Sequence, residues 1–229
     1  MTKPATTITA IVAIVLVCLG GAALALSGGA PLSIDTAWHS AVGVHPGSVS
    51  YSLAVMLATI GSSIGVGVSV VLAATGLLFQ RRWIDAAAIV TSALIGVACS
   101  EGLKLLVARP RPIDALLQPP GSSYPSGHAM GAAMLSTALA LALFTVARSP
   151  QFRAWLVTAA AAWTLLMMWS RTALHVHWLS DTVAGALLGW AVAVLVRTSL
   201  LAIKRRRSGG PLVTGSSRTE TTRASKTPR

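Results

Sequence analysis

Long runs of apolar residues recur along the chain, and short polar segments separate them. An α-helix rises about 1.5 Å per residue, so about 20 apolar residues carry it across a lipid bilayer. Six segments of the sequence qualify as membrane spans on this criterion. They predict transmembrane helices over Thr7–Leu26, Ile64–Phe79, Ile84–Val107, Ser126–Ala147, Ala154–Ser170 and His177–Ile203.

The segments between the spans complete an all-α, integral membrane six-helix bundle. A region rich in Gly, Pro and Ser follows the first span and predicts a loop that runs to about Ser50. The break at Gly61-Ser62-Ser63 indicates a short surface helix, Leu53–Ile60, ahead of the second span. Residues 1–203 are thus expected to form the membrane domain. Residues 204–229, rich in Ser, Thr and Arg, predict a basic, disordered cytoplasmic tail.

Composition supports a membrane location and argues against a nucleic-acid partner. Apolar residues make up 54% of the chain and charged residues only 10%, whereas soluble domains have roughly 25% charged residues. The net charge is +12, but residues 204–229 alone carry eight Lys/Arg and one Glu. A basic tail beside a membrane span is typical of contact with the anionic cytoplasmic leaflet. We therefore expect membrane lipids as partners and no nucleic acid.

The distribution of basic residues predicts the orientation of the bundle in the plasma membrane. By the positive-inside rule, loops rich in Lys and Arg face the cytoplasm. The N-terminus, the second and fourth loops and the C-terminus satisfy this rule with Lys3, Arg81, Arg82, Arg148, Arg153 and Lys204–Arg207. Both termini are then cytoplasmic. The first outer loop has Asp35 and no Lys or Arg.

The third and fifth loops face outward in this topology, yet cations lie in or beside them: Lys104, Arg109, Arg111 and Arg171. A bound anion is a natural reason for cations on the disfavoured side of a membrane. The planar fork of arginine suits the oxygens of a phosphate group. Arg109, taken alone, is better explained by contact with lipid head groups or by capping of a helix end.

Two further patches lie at the outer ends of predicted spans. Pro125-Ser126-Gly127-His128 opens the fourth span, where free backbone N–H groups and the helix dipole favour an anion. His177 and Asp181 share one face at the start of the sixth span, and a carboxylate beside an imidazole orients it for catalysis. His175 forms an H-x-H pair with His177 that suits a metal ion. No third ligand is in sequence reach, so no metal or other cofactor is predicted.

Together these patches resemble the three-part signature of the type 2 phosphatidic acid phosphatase family, K-x6-R-P, P-S-G-H and S-R-x5-H-x3-D. The matching stretches are Lys104 to Arg111-Pro112, then Pro125–His128, then Ser170-Arg171 through His177 to Asp181. The spacing selects Arg111 over Arg109 and His177 over His175. The motifs cover about a third of the chain, and the six-span layout extends the similarity to nearly all of it.

The resemblance implies an enzyme with its active site at the outer membrane interface. His177 would attack phosphorus and form a phosphohistidine, Asp181 would orient His177, and His128 would act as acid and then as base. The phosphate oxygens would be held by Lys104, Arg111, Ser126, Gly127 and Arg171. The substrate would be a lipid phosphate, with undecaprenyl or another polyprenyl diphosphate as first choice. Phosphatidate, phosphatidylglycerophosphate and phosphorylated polyprenyl sugars are the other candidates.

Two alternative functions stay open at this point. A phosphotransferase would use the same site and pass the phosphoryl group to an acceptor other than water. A transporter or membrane scaffold with an anion site would be expected to carry charges deep within its spans and an inverted repeat. Asp85, Glu101 and Arg197 all lie near predicted span ends, and no clear repeat is found. The role of Asp114 and the oligomeric state are not readable.

Overall fold

The computed structural model describes residues 4–208, and helices are the only regular secondary structure in this part of the chain. It contains eight helices: α1 Pro4–Leu26, α2 Ser33–Val42, α3 Val49–Ile60, α4 Ser63–Phe79, α5 Trp83–Val107, α6 Gly127–Leu143, α7 Pro150–Ala173 and α8 Leu179–Ser208. The expected all-α class is confirmed. The rest of the predicted basic tail lies outside the described residues.

Four of the helices, α1, α5, α7 and α8, are long and apolar enough to cross a membrane. Large apolar side chains such as Leu19, Phe79 and Trp155 point outward, with 62%, 85% and 71% of their surfaces exposed. An exposed apolar belt of this kind is stable only when lipid covers it, since soluble proteins rarely expose large contiguous apolar patches. The protein is therefore an integral membrane protein.

Helices α3 and α4 are together long and apolar enough to cross a membrane, but the pair is bent by 55° at its break. The break lies at Gly61-Ser62, as the sequence predicts, because the Ser62 hydroxyl accepts a hydrogen bond from the Gly65 N–H and caps α4. Helix α3 begins at Val49, four residues before the predicted surface helix.

Helix α6 lies at the centre of the bundle and packs against α4, α5, α7 and α8. It ends at Leu143 rather than Ala147, so it has only 17 residues, or about 25 Å at 1.5 Å per residue. Its contact with α8 is unusually close. A Cβ atom at Gly189 would lie 2.1 Å from the Met130 carbonyl oxygen, and one at Gly185 would lie 2.3 Å from the Ser126 carbonyl oxygen. Only glycine permits this approach, which joins the second and third motifs.

Two predicted boundaries are corrected by the structure. The region after α1 is not loop throughout, because it contains α2, whose first turn is closed by the Leu32 N–H donating to Asp35 Oδ2 at 3.0 Å. Helix α8 does not end at Ile203 but continues to Ser208, so the first residues of the predicted tail are helical. Six membrane-spanning helices stay a prediction, since α6 is shorter than the four clear spans.

An ion-pair cluster fixes the opposite end of α5. Asp85 accepts hydrogen bonds from Arg82 Nη2 at 2.7 Å and from Arg197 Nη2 of α8 at 3.0 Å. Arg82 also donates to the Ala142 carbonyl at the C-terminal end of α6, where a cation complements the helix dipole. Three helices are thereby tied together at the end of the bundle that lies away from the three motifs.

Candidate active site

The three motifs meet at one end of the bundle. Lys104 lies in the last turn of α5, and Arg111 follows in the loop that leads to α6. Ser126 is the N-cap residue of α6, Gly127 and His128 are in its first turn, and Arg171 is in the last turn of α7. His177 and Asp181 flank the first residue of α8.

Six of the predicted site residues line a single cavity of about 530 Å³: Lys104, Arg111, Gly127, His128, Arg171 and His177. Below this polar end the cavity continues between α4, α5 and α6, where its walls are apolar. Val70, Val90, Leu94 and Met134 are among the residues there. A cationic head joined to an apolar channel fits a ligand that carries both a phosphate group and a hydrocarbon chain.

His177 is almost completely buried, and its surroundings select one tautomer. Its Nε2 atom lies 3.2 Å from Arg111 Nη1. A guanidinium can only donate, so Nε2 must be the acceptor and the ring proton must be on Nδ1. Burial lowers the pKa of His177 to about 4, with Asp181 acting in the opposite direction. The imidazole is therefore neutral at pH 7, with the Nε2 lone pair directed to the Arg111 guanidinium.

Asp181 faces the other nitrogen of the same ring. Its Oδ2 atom is 3.7 Å from His177 Nδ1, which is longer than a hydrogen bond, and the Nδ1 atom has no other partner in the described chain. Oδ2 also accepts the Trp178 N–H at 2.9 Å, which fixes the carboxylate at the start of α8. A movement of about half an ångström would complete the His177–Asp181 hydrogen bond, and such contacts commonly tighten when substrate binds.

Arg109 is buried beneath Asp181, which corrects its predicted role at head groups or at a helix end. Its guanidinium donates to Asp181 Oδ1 from one nitrogen and to Asp35 Oδ2 at 2.8 Å from the other, and all three side chains are fully buried. Sequence reasoning missed this network. The signal that was present is an acidic residue, Asp35, in an outer loop that has no basic residue of its own.

Besides His177 Nδ1, two groups in the second and third motifs lack a hydrogen-bond partner within the described chain. They are the Ser126 hydroxyl and the Nε atom of Arg171, and both are buried. Buried polar atoms are nearly always paired, so an orphaned donor indicates a missing ligand. Lys104 Nζ lies near Gly127, 3.6 Å from the position a Cβ atom would take, and it pairs with Glu101 at 2.7 Å. Arg171 and Lys104 line the same cavity as His177, whereas Ser126 is fully buried and is not among the residues that line it.

His128 is oriented by the break between α3 and α4. Its Nε2 atom lies 3.1 Å from the Ala58 carbonyl oxygen, so this nitrogen must carry the proton that it donates. The other ring nitrogen, Nδ1, is then the atom that can exchange a proton with a ligand. The ring lines the same cavity as His177.

The H-x-H pair of the sequence does not act as a unit. His175 has a positive φ of 55° and directs its ring to Asp114, at 2.8 Å, rather than to His177. His39 from α2 also contacts Asp114, at 3.0 Å. Sequence spacing alone cannot bring these three residues together, because they lie on three different segments.

A family model described as the PAP2 superfamily matches residues 85–205, which is more than half of the chain. The chain belongs to the PAP2 superfamily. The match covers all three motifs, so the resemblance noted from their residues is confirmed.

Two known proteins are similar to this PAP2 chain. An undecaprenyl-diphosphatase from Sulfolobus acidocaldarius is 33% identical over 126 residues, which cover 52% of this chain and 57% of that protein. The chain therefore matches little more than half of that relative's length. The crystal structure of a transmembrane PAP2 type phosphatidylglycerolphosphate phosphatase from Bacillus subtilis superposes with a TM-score of 0.71. It is 24% identical, and the match covers 84% of this chain and 98% of that one, so the two share a fold.

Proposed function

We propose that this PAP2 protein is a lipid phosphatase that removes phosphate from a polyprenyl diphosphate. The observation that carries the proposal is the cavity, because its cationic end holds both histidines and its apolar walls lead between α4, α5 and α6. A diphosphate head group fits the first part and an isoprenoid chain the second. The relative named undecaprenyl-diphosphatase supports the same substrate class.

In the first chemical step the Nε2 atom of His177 attacks phosphorus, and the bond from phosphorus to the leaving oxygen breaks. Arg111 Nη1 lies 3.2 Å from His177 Nε2, so an incoming phosphate oxygen replaces Nε2 as the hydrogen-bond acceptor of Arg111 and frees the Nε2 lone pair for attack. Asp181 stabilises the imidazolium that forms. The buried donors of Arg171 and Ser126 gain their missing partners on the same oxygens, where transition-state charge is spread.

His128 supplies the proton transfers. It protonates the leaving oxygen in the first step, and a bound dianionic phosphate would favour the protonated imidazolium that this needs. In the second step it takes a proton from water, which attacks the phosphohistidine and releases phosphate while regenerating neutral His177. The protein's own cations balance the charge, so the chemical step needs no metal ion.

The experiment is a phosphate-release assay on detergent-purified protein with polyprenyl diphosphate, phosphatidate and phosphatidylglycerophosphate. The assay contains excess EDTA, is run under conditions in which the protein is folded, and includes the His177→Ala variant for comparison. We expect release that survives EDTA, is greatest with polyprenyl diphosphate and is absent from the variant. Acid-labile label on the wild type from ³²P-substrate would support the phosphohistidine. Hydrolysis that EDTA abolishes while the protein stays folded, or that persists in His177→Ala, would contradict the mechanism, and label passed to a lipid acceptor would indicate a phosphotransferase.

The proposed orientation places the cavity mouth on the extracytoplasmic side and both termini in the cytoplasm, with six helices crossing the plasma membrane. It rests on the positive-inside rule, since Arg81, Arg82, Arg148 and Arg153 lie at the end opposite the site. Ile113 is fully exposed in the loop beside Arg111. With Cys18 and Cys99 replaced, Ile113→Cys should react with an impermeant thiol reagent in intact cells. Arg148→Cys should react only after permeabilisation, and the reverse pattern would invert the topology.

A further inference from the structure

Three residues from three separate outer segments converge beside the turn that carries His177. They are His39 at the C-terminal end of α2, Asp114 in the loop between α5 and α6, and His175 in the turn between α7 and α8. His39 Nε2 is 3.0 Å and His175 Nδ1 is 2.8 Å from the same oxygen, Asp114 Oδ2. All three candidate ligand atoms lie within 4.8 Å of one another.

The donor set is that of a transition-metal site. Imidazole nitrogens and a carboxylate oxygen bind Zn²⁺ at about 2.0–2.2 Å, and ligands around a tetrahedral ion lie about 3.3 Å apart. The two nitrogen–oxygen distances here are shorter than that spacing by only a few tenths of an ångström. Slight outward rotation of the side chains therefore makes room for an ion. Because Asp114 is partly exposed to solvent, water can occupy a remaining coordination position.

The two rings are held ready for a common ligand. They stack with centroids 3.7 Å apart and an interplanar angle of 28°, so both nitrogens point to one side. Gly43 makes the arrangement possible, because a Cβ atom there would lie 2.9 Å from His175 Nε2. Trp178 packs at the edge of His39, with a centroid distance of 5.3 Å.

We propose that His39, Asp114 and His175 bind a divalent transition-metal ion, of which Zn²⁺ fits the ligands best, and that this ion has a structural role. It ties α2 and the α5–α6 loop to the turn between α7 and α8. His175 is two residues from His177, so the ion would hold in place the turn that presents the nucleophile. The site is separate from the phosphate-binding cavity and takes no part in the bond-breaking step.

The test uses the full chain in detergent, stripped with EDTA and then freed of the chelator. Zn²⁺ is titrated against a chromogenic chelator, and thermal unfolding is recorded with and without the ion. His39→Ala and Asp114→Asn are the test variants. The control is His45→Ala, which removes an exposed outer-loop histidine that lies outside the cluster.

We expect the wild type and His45→Ala to bind one equivalent of Zn²⁺ and to unfold at a higher temperature when it is present. Both test variants should bind that equivalent more than about 10-fold more weakly and lose the shift, since each lacks one of three protein ligands. Asp114→Asn preserves the side-chain shape, so its loss cannot be blamed on misfolding. Absence of Zn²⁺ binding by the wild type would reduce the cluster to hydrogen bonds and overturn the proposal. An ion that stays bound in both variants would belong elsewhere and would also overturn it.

Discussion

The buried arginine beneath the catalytic pair offers the sharpest test of the structure. In Arg109→Met the new side chain has a similar length, but Asp35 and Asp181 lose the cation between them. The Asp35 carboxylate still accepts hydrogen bonds from Leu32 and Ser180, whereas within the described residues the Asp181 carboxylate keeps only the hydrogen bond from the Trp178 N–H. Removing one partner from a buried ion pair costs about 3–5 kcal/mol, so we expect a loss of free energy of unfolding in that range.

The assay is equilibrium unfolding in mixed detergent, with Arg148→Met as the control because Arg148 is exposed. The control should change stability by less than about 0.5 kcal/mol. Burial by itself raises the pKa of Asp35, but hydrogen bonds from Ser180, Arg109 and Leu32 together lower it, so its charge stabilises the fold above its ordinary pKa. The deficit of Arg109→Met should therefore shrink as the pH falls towards 4 and the Asp35 carboxylate, which has lost its cation, protonates.

Adding Asp35→Asn to Arg109→Met removes one of the two unpaired carboxylates. The double variant should recover about 1 kcal/mol or more relative to the sum of the single changes, because the residues share one network. The reasoning is refuted by a loss below about 1 kcal/mol in Arg109→Met, a typical value for an ordinary substitution. Strict additivity of the two changes would refute it equally.

Three other predictions follow from single contacts. Gly189→Ala should cost about 1–3 kcal/mol of unfolding free energy, because its Cβ atom would overlap the Met130 carbonyl oxygen. Gly67→Ala is the control, since its Cβ atom would meet no other atom, and equal unfolding free energies of the two variants in detergent would contradict the packing. Ser126→Ala should leave stability unchanged but raise KM at least about threefold, because its hydroxyl has no partner within the described chain and is proposed to bind a phosphate oxygen. An unchanged KM would exclude Ser126 from phosphate binding. The acid limb of the pH profile of kcat/KM, corrected for substrate ionisation, should have its midpoint near pH 4, because protonation of His177 below its pKa of about 4 removes the nucleophilic lone pair. A midpoint near pH 6.5 would contradict the effect of burial on the pKa of His177.

The helices and the motif residues could be predicted from sequence because each depends on local pattern. Runs of apolar residues determine where α1, α5 and α8 lie, and the motif spacing selects Arg111 and His177 from their neighbours. Helix α2 was missed because it is short and flanked by Gly and Pro, and its stability comes from Asp35 contacts to Leu32 and to the distant Ser180. The partners of Arg109 were missed for the same reason, since they lie more than seventy residues away in both directions.

The sequence motifs do not distinguish the two arginines, Arg111 and Arg171, but the structure shows that they differ in how many hydrogen bonds they already make within the described chain. Arg111 donates to four backbone carbonyls, those of Pro120, Gly121, Ser122 and Val176, and to His177 Nε2. It therefore holds the α5–α6 loop against His177, the proposed nucleophile, as well as facing the proposed phosphate site. Arg171 is more deeply buried than Arg111 and has an unpaired Nε atom in the described chain. A buried unsatisfied donor costs about 1–3 kcal/mol, and a phosphate oxygen would remove that cost.

The two arginines should therefore respond oppositely to the same substitution. Arg171→Met removes a buried donor whose Nε atom has no partner within the described chain, so the ligand-free protein should become more stable by about 1–3 kcal/mol while hydrolysis falls by more than about 100-fold. Arg111→Met removes loop contacts and should lose both stability and activity. Detergent unfolding and phosphate release measure the two properties on the same preparations. Destabilisation by Arg171→Met would mean that its guanidinium is already satisfied without ligand, and its place in the phosphate site would have to be abandoned.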